Sequence, residues 1–117
     1  MKGMNYGIVM EGKARIAVPK VAGGKVSSAM PVFYNPVMKS NRDITILLMA
    51  AAAKVYGIKK WQIADAMAAT GVRGIRMVLE LDGSNIELLK MNDHSPAAAA
   101  LIKKNLQLNK IKTGKIK

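Results

Sequence analysis

Asp65-Ala66-Met67-Ala68-Ala69-Thr70-Gly71-Val72-Arg73-Gly74-Ile75-Arg76 joins a short apolar run to an amphipathic one, and its reading decides the fold. Before it, Trp61-Gln62-Ile63-Ala64-Asp65 has the length and composition of a buried strand that ends in an acid. Inside it, small residues and two glycines permit a tight turn. After it, Gly71 to Glu80 predicts a helix, with Ile75, Val78 and Leu79 at inward spacing. Ile86 to Met91 repeats the theme as a second strand, followed by the acid Asp93. Ser95-Pro96 then opens a helix reaching about Asn109: serine caps, and proline suits the first helical position, where no amide donor is needed. Strand, turn, helix, strand, helix is the order of a parallel α/β sheet. Two strands are too few to bury helices on both faces of such a sheet, so the chain is expected to be the first part of a larger α/β domain. Ile111 to Lys117 reads as the start of a third strand or a frayed tail.

Upstream the pattern changes. Tyr6 to Pro19 alternates loosely, with Ile8, Met10, Ile16 and Val18 on either side of Glu11-Gly12-Lys13, which predicts a β-hairpin. Val21 to Ser28 has loop composition. Pro31-Val32-Phe33-Tyr34-Asn35-Pro36 cannot form a regular helix, because each proline pushes the residue before it to an extended conformation. A helix is expected from Arg42 to Tyr56, capped by Ser40 or Asn41, with Asp43 in its first turn and Gly57 closing it. Residues 1–40 thus read as an N-terminal β extension with a pocket loop, and residues 41–117 as the first part of the α/β domain.

The 117 residues carry a net charge of +12, and half of them are hydrophobic, enough to form a core. Only Glu11 is acidic before Asp43, and nothing is acidic after Asp93, where six lysines follow. Such a surplus attracts polyanions, because lysine and arginine displace the counterions condensed on a phosphate backbone. The longest apolar run, Ile44 to Ala53, is about ten residues against the roughly twenty that cross a bilayer. With no secretory-type apolar run at the N-terminus, a cytoplasmic location is expected, with RNA as partner, no membrane and no obligate protein partner. The absence of cysteine excludes disulfides, thiolate metal sites and cysteine nucleophiles. His94 is the only histidine; one imidazole makes no metal site, and a partly exposed loop residue is expected there.

In open α/β sheets ligands bind beyond the carboxyl ends of the strands, near the positive end of the following helix. Asp93, ending the second strand, can accept hydrogen bonds from both hydroxyls of a ribose, or can simply cap the helix at Ser95. A dinucleotide site requires G-x-G-x-x-G, whereas the chain has Ala69-Thr70-Gly71-Val72-Arg73-Gly74, with alanine in place of the first glycine. Asp65 would repel a pyrophosphate but can pair with the amino group of a methionine moiety. The electrostatics therefore favour S-adenosylmethionine over a dinucleotide.

Four blocks carry a family resemblance: Glu11-Gly12-Lys13-Ala14 with Pro19-Lys20; Pro31-Val32-Phe33-Tyr34-Asn35-Pro36 with Asn41-Arg42-Asp43; Asp65-Ala66 with Ala69-Thr70-Gly71-Val72-Arg73-Gly74-Ile75-Arg76; and Asn92-Asp93 leading to Asn105 and Leu108-Asn109. In order and spacing, over nearly the whole chain, they resemble the archaeal and eukaryotic tRNA guanine-26 N2-methyltransferases. The resemblance implies a partial class I, Rossmann-like S-adenosylmethionine-dependent methyltransferase fold with an N-terminal β-hairpin extension. It implies that Arg42, Arg73 and Asp93 contact S-adenosyl-L-methionine, with Asp65 and Gly71 in the same site, and that Phe33, Tyr34 and Asn35 lie where the family builds its substrate pocket for tRNA guanine. The alternatives are that Phe33 and Tyr34 only pack the loop on the core and that Asp65 satisfies amides of its own turn. An arginine at the start of a helix faces the positive dipole end, so an anion near Arg42 would explain its position. Two departures stand out: His94 replaces the usual apolar residue, and the family's later Asp-Pro-Phe-Gly-like segment and C-terminal RNA-binding domain are missing. No catalytic residue is therefore assigned, and the chain is expected to be inactive alone. The rival readings are a small basic RNA-binding protein without catalysis and, less well supported, an NAD-dependent reductase.

Overall fold

Elements follow the hydrophobic periodicity closely. The computed structural model describes residues 5–20, 30–82, 85–114 and 116; the expected loop at 21–28 lies outside them. Strands β1 (Tyr6–Glu11) and β2 (Ala14–Pro19) pair antiparallel, Tyr6 opposite Pro19 and Glu11 opposite Ala14. The turn between them needs Gly12, whose φ of +55° is left-handed and whose missing Cβ would lie 2.4 Å from the Glu80 carboxylate. Helix α1 (Lys39–Tyr56), strand β3 (Trp61–Asp65), helix α2 (Val72–Glu80), strand β4 (Ile86–Met91) and helix α3 (Pro96–Leu108) follow. β3 and β4 are parallel, and Ile116 makes an isolated parallel bridge to Leu89 of β4. The α/β reading with a separate N-terminal hairpin holds.

Helix α1 starts earlier than expected, and neither Ser40 nor Asn41 caps it. A single 3-10 turn, Pro36–Met38, runs straight into it, and its cap is Asn35, whose Oδ1 accepts from the Val37 amide. The pre-proline residue Asn35 is extended, φ −120° and ψ 109°, which aims its side chain at that amide. Gly57 ends the helix in the left-handed conformation, φ +63°. Gly71 is likewise the cap of α2 rather than its first residue. Along α2 Ile75 and Met77 are buried, while Val78 and Leu79 are half-buried. Ser95 accepts from the Ala98 amide with Pro96 at the first helical position, as expected. Among the described residues no helix is long and apolar enough to cross a membrane.

The core lies where the hairpin packs on α2 and α3, around Ala14, Ile16, Val72, Ile75, Ile102 and Leu106. A second cluster joins Ile46 of α1 to Met77, Ile86 and Leu89. Gly74 is what lets α2 sit so close to the sheet: a Cβ there would stand 2.6 Å from Met91 Sδ and 3.2 Å from Leu89 Cδ2.

Side-chain amides seal the free edge of β2. The Ala17 amide donates to Asn105 Oδ1 at 2.8 Å, while Asn105 Nδ2 donates back to the Ala17 carbonyl at 3.2 Å. One turn on, Asn109 repeats the pair on Arg15, at 2.9 and 2.7 Å. Asparagines four apart on α3 thus stand in for a neighbouring strand, because a carboxamide offers the same acceptor and donor as a peptide group.

Candidate functional site

The turn expected to seat a ligand is zipped to the strand ends. The Asn92 amide donates to the Asp65 carbonyl at 2.8 Å and the Ala68 amide to the Asn92 carbonyl at 2.9 Å, so the β3–β4 ladder continues past both strands. The Gly71 amide donates to the Ala68 carbonyl, and the Val72 amide to the buried Thr70 hydroxyl. The Ala69 amide donates to Asp93 Oδ2 at 3.0 Å, with Ala69 itself left-handed at φ +49°. The amides of residues 68, 69, 71 and 72 therefore already have protein acceptors.

Beside this turn lies a cleft of about 120 Å³ lined by Phe33, Tyr34, Asn35, Arg42, Asp65 and Arg73, together with Met38 and residues 67–70 and 72. Six of the eight residues singled out in the sequence converge there. Gly71 sits next to it as the cap of α2, and Asp93 lies across the turn, bordering two further hollows.

Burial pushes the Asp65 carboxyl above its ordinary 3.8, and nearby Asp93 adds to this; the Met67 amide and the charge of Arg73 act in the other direction. Arg73 donates to Thr45 Oγ1 and, at 2.9 Å, to Asn41 Oδ1, which holds its guanidinium against α1. Asp93 caps on two sides: Oδ1 accepts from the Ser95 amide while Oδ2 accepts from the Ala69 amide. His94 is fully exposed rather than partly so, with Nδ1 at 3.6 Å from Asp93.

Arg42 has its anion, and it belongs to the protein. Nε donates to Glu11 Oε2 at 2.8 Å, and Nη2 donates to Glu11 Oε1 and to the Asn35 carbonyl. Nη1 takes part in none of these bonds, and the guanidinium stacks 5.1 Å above the Tyr34 ring. Tyr34 donates its hydroxyl to Glu11 at 2.8 Å and is buried; burial and that bond push its pKa up to about 12. Tyr34 therefore fixes the pocket loop to the hairpin, whereas Phe33, 44 % exposed, is the aromatic ring accessible at the cleft. Arg76 completes the network, donating to Glu11 Oε2 at 3.0 Å and pairing with Asp43 and Glu80. Burial alone would raise the Glu11 pKa, but bonds from Arg42, Tyr34 and Arg76 hold it below 4.5.

The sequence reading gave no role to Glu11, Arg76, Asn105 or Asn109. Glu11 did carry a signal, as the one acid among seven basic residues before Asp43. Asn105 sits on the inner face of α3 among apolar neighbours, a place where a polar residue needs a partner, and Asn109 follows four residues on as the helix's C-cap.

The sequence model of the N2,N2-dimethylguanosine tRNA methyltransferase family matches residues 12–117. A tRNA (guanine(26)-N(2))-dimethyltransferase of Thermococcus kodakarensis is 50 % identical over 101 residues, which is 86 % of this chain and 24 % of that protein. The corresponding enzyme of Sulfurisphaera tokodaii is 42 % identical over 91 % of the chain and 28 % of its own length. Trm1 from Pyrococcus horikoshii, solved with S-adenosyl-L-methionine, superposes with a TM-score of 0.69 at 40 % identity, covering 87 % of this chain and 23 % of that one. The chain spans about a quarter of the length of these relatives.

Proposed function

The chain belongs to the N2,N2-dimethylguanosine tRNA methyltransferase family and has part of its Rossmann-like α/β fold, and from that membership we propose that the turn after β3 seats S-adenosylmethionine for methyl transfer to N2 of guanine 26 in tRNA. One observation carries the reading. Two carboxylates, Asp65 and Asp93, flank a turn whose amides at 68, 69, 71 and 72 are already satisfied. A pyrophosphate needs free amides at such a turn, and here the amides of 68, 69, 71 and 72 are taken and two carboxylates flank them. A cationic donor with a ribose and an amino group fits acids.

S-adenosylmethionine supplies the activated methyl group. Asp93, whose oxygens each retain a lone pair, accepts from the ribose hydroxyls. Asp65 would hold the amino group of the methionine part, and Arg73, with Arg42 at the cleft wall, would hold its carboxylate. A cleft of about 120 Å³ is below the roughly 300–1,000 Å³ of a typical small-molecule pocket. It therefore takes one end of the donor, the ribose lying over the turn toward Asp93. Phe33 offers a flat face to the guanine beside that end, and the uncommitted Asn35 amide group offers donors. These residues bind and orient; orientation alone accounts for a large part of the acceleration in such a transfer. We assign no proton acceptor to this chain, and by itself it binds the donor weakly without turnover. The hairpin and residues 30–40 form the pocket wall, clamped through Glu11 to Arg42 and Arg76, and the turn after β3 forms the donor side.

Thermal unfolding with S-adenosylhomocysteine and with NAD tests the assignment. S-adenosylhomocysteine at about 100 times its Kd adds about 2.7 kcal/mol to the wild type, Asp93→Asn loses most of this, and NAD leaves the midpoint unchanged. A shift with NAD alone would end the methyltransferase reading. No response to either ligand, with RNA still bound, would favour a non-catalytic RNA-binding module, the reading that the charge of +12 supports on its own.

A further inference from the structure

Helix α3 is divided between two environments. Its inner face buries Ala98, Leu101, Ile102, Asn105 and Leu106. The opposite face presents Lys103, Lys104 and Gln107, all exposed, and the helix contains no acidic residue. Across the seam sealed by Asn105 and Asn109, β2 adds exposed Arg15, and Lys110 follows the helix. The ion pairs of the described residues involve none of these four cations. Glu11, Asp43 and Glu80 sit on arginines at the α1–α2 side, Glu87 pairs with Lys60, and Asp65 and Asp93 lie at the turn.

We propose that this outer face of α3, with Arg15 and Lys110 beside it, is the surface on which the RNA phosphate backbone docks. Three features support it. Its four cations make no ion pair among the described residues, which leaves their charge available for counterion release. Lys104 stands 4.3 Å from the centre of the Tyr6 ring, at the rim of a hollow of about 420 Å³ bounded by Ala100 and Gln107, a place that takes a phosphate and its sugar. The surface is also built rigidly onto the cleft: Asn105, which joins α3 to β2, donates at 2.9 Å to the Thr70 carbonyl in the turn, and Lys103 borders the hollow that Asp93 lines. The face lacks the large apolar side chains by which an amphipathic helix enters a lipid surface. The inference rests on the proposed function for its substrate class.

The test is binding of an unmodified tRNA transcript to the 117-residue chain, followed over a salt series from about 50 to about 300 mM. Lys103→Glu/Lys104→Glu is compared with Lys54→Glu/Lys59→Glu, which changes the net charge equally where α1 ends and β3 begins. All four positions are exposed, so both proteins should fold. The α3 variant is expected to lose affinity several-fold or more and to lower the salt slope by about two, roughly one for each phosphate contact. The control should keep the wild-type slope. Equal losses in both, or a slope unchanged in the α3 variant, would overturn the proposal, as would competition by polyglutamate as strong as by RNA. S-adenosylhomocysteine stabilisation, read in the same proteins, separates the two assignments. Its absence from the wild type, with the expected RNA pattern, brings down the donor site alone.

Discussion

Glu11→Gln is the most informative single change in this chain. Glu11 is 1 % exposed and accepts from Arg42, Arg76 and Tyr34, while Arg42 and Arg76 are themselves 5 % and 3 % exposed. Glutamine keeps the shape but removes the charge, and turns its own amide hydrogens toward guanidinium donors. Arg76 retains Asp43 and Glu80, but Arg42 keeps only the Asn35 carbonyl and a single neutral glutamine oxygen in place of the carboxylate. Removing one partner of a buried pair costs about 3–5 kcal/mol, a large share of the roughly 5–15 kcal/mol of a domain this size. At about 4 °C per kcal/mol the midpoint should fall by about 12–20 °C at pH 7. The pH dependence gives a second check. The Glu11 pKa is depressed in the folded state, so its contribution is fully present above about 4.5 and is lost as pH falls through the lower folded value. The gap between wild type and variant must therefore close toward acid pH. Glu11→Gln/Arg42→Met should recover part of the loss, since no uncompensated cation remains at position 42. Calorimetric melts from pH 3 to 8 measure all of this. A variant within a couple of degrees of wild type at neutral pH would show that water reaches the arginines, and the clamp argument would fail.

Two further outcomes follow from the same geometry. Asn105→Leu leaves the Ala17 amide and the Ala17 and Thr70 carbonyls without a partner, at about 1–3 kcal/mol each; hydrogen exchange should accelerate at Ala17 while Asn109 still protects Arg15, and equal exchange at both would refute the edge-sealing role. Asp65→Asn should stabilise the ligand-free protein at pH 7 while weakening S-adenosylhomocysteine binding. The folded pKa of Asp65 is raised, so the wild type loses stability as pH rises from 3.8 through that value, and the variant should lack this loss; destabilisation at neutral pH would contradict it.

Strand, turn and helix positions were legible because each is local: periodicity for β3, α2 and β4, proline before α3, glycine after α1. The helix start that the sequence misplaced was decided by proline geometry, since Pro36 forces Asn35 into the conformation that caps the 3-10 turn leading into α1. Among the site residues, the acids at the strand ends and the aromatic pocket block were visible by type and spacing; the fold brings Asp65 and the pocket block to one cleft and leaves Asp93 across the turn.

What the chain's order of residues determined by itself was the α/β class, the polyanion-seeking charge and the preference for acids over phosphate-binding amides at the turn. Only the tertiary structure decided that Arg42 answers to Glu11, that Tyr34 belongs to the clamp and Phe33 to the cleft, and that α3 uses asparagine to close a strand edge. The reason is physical. Periodicity and capping act over a few residues, whereas a buried charge chooses its partner by which distant surfaces the fold presses together, Glu11 and Arg76 being 65 positions apart.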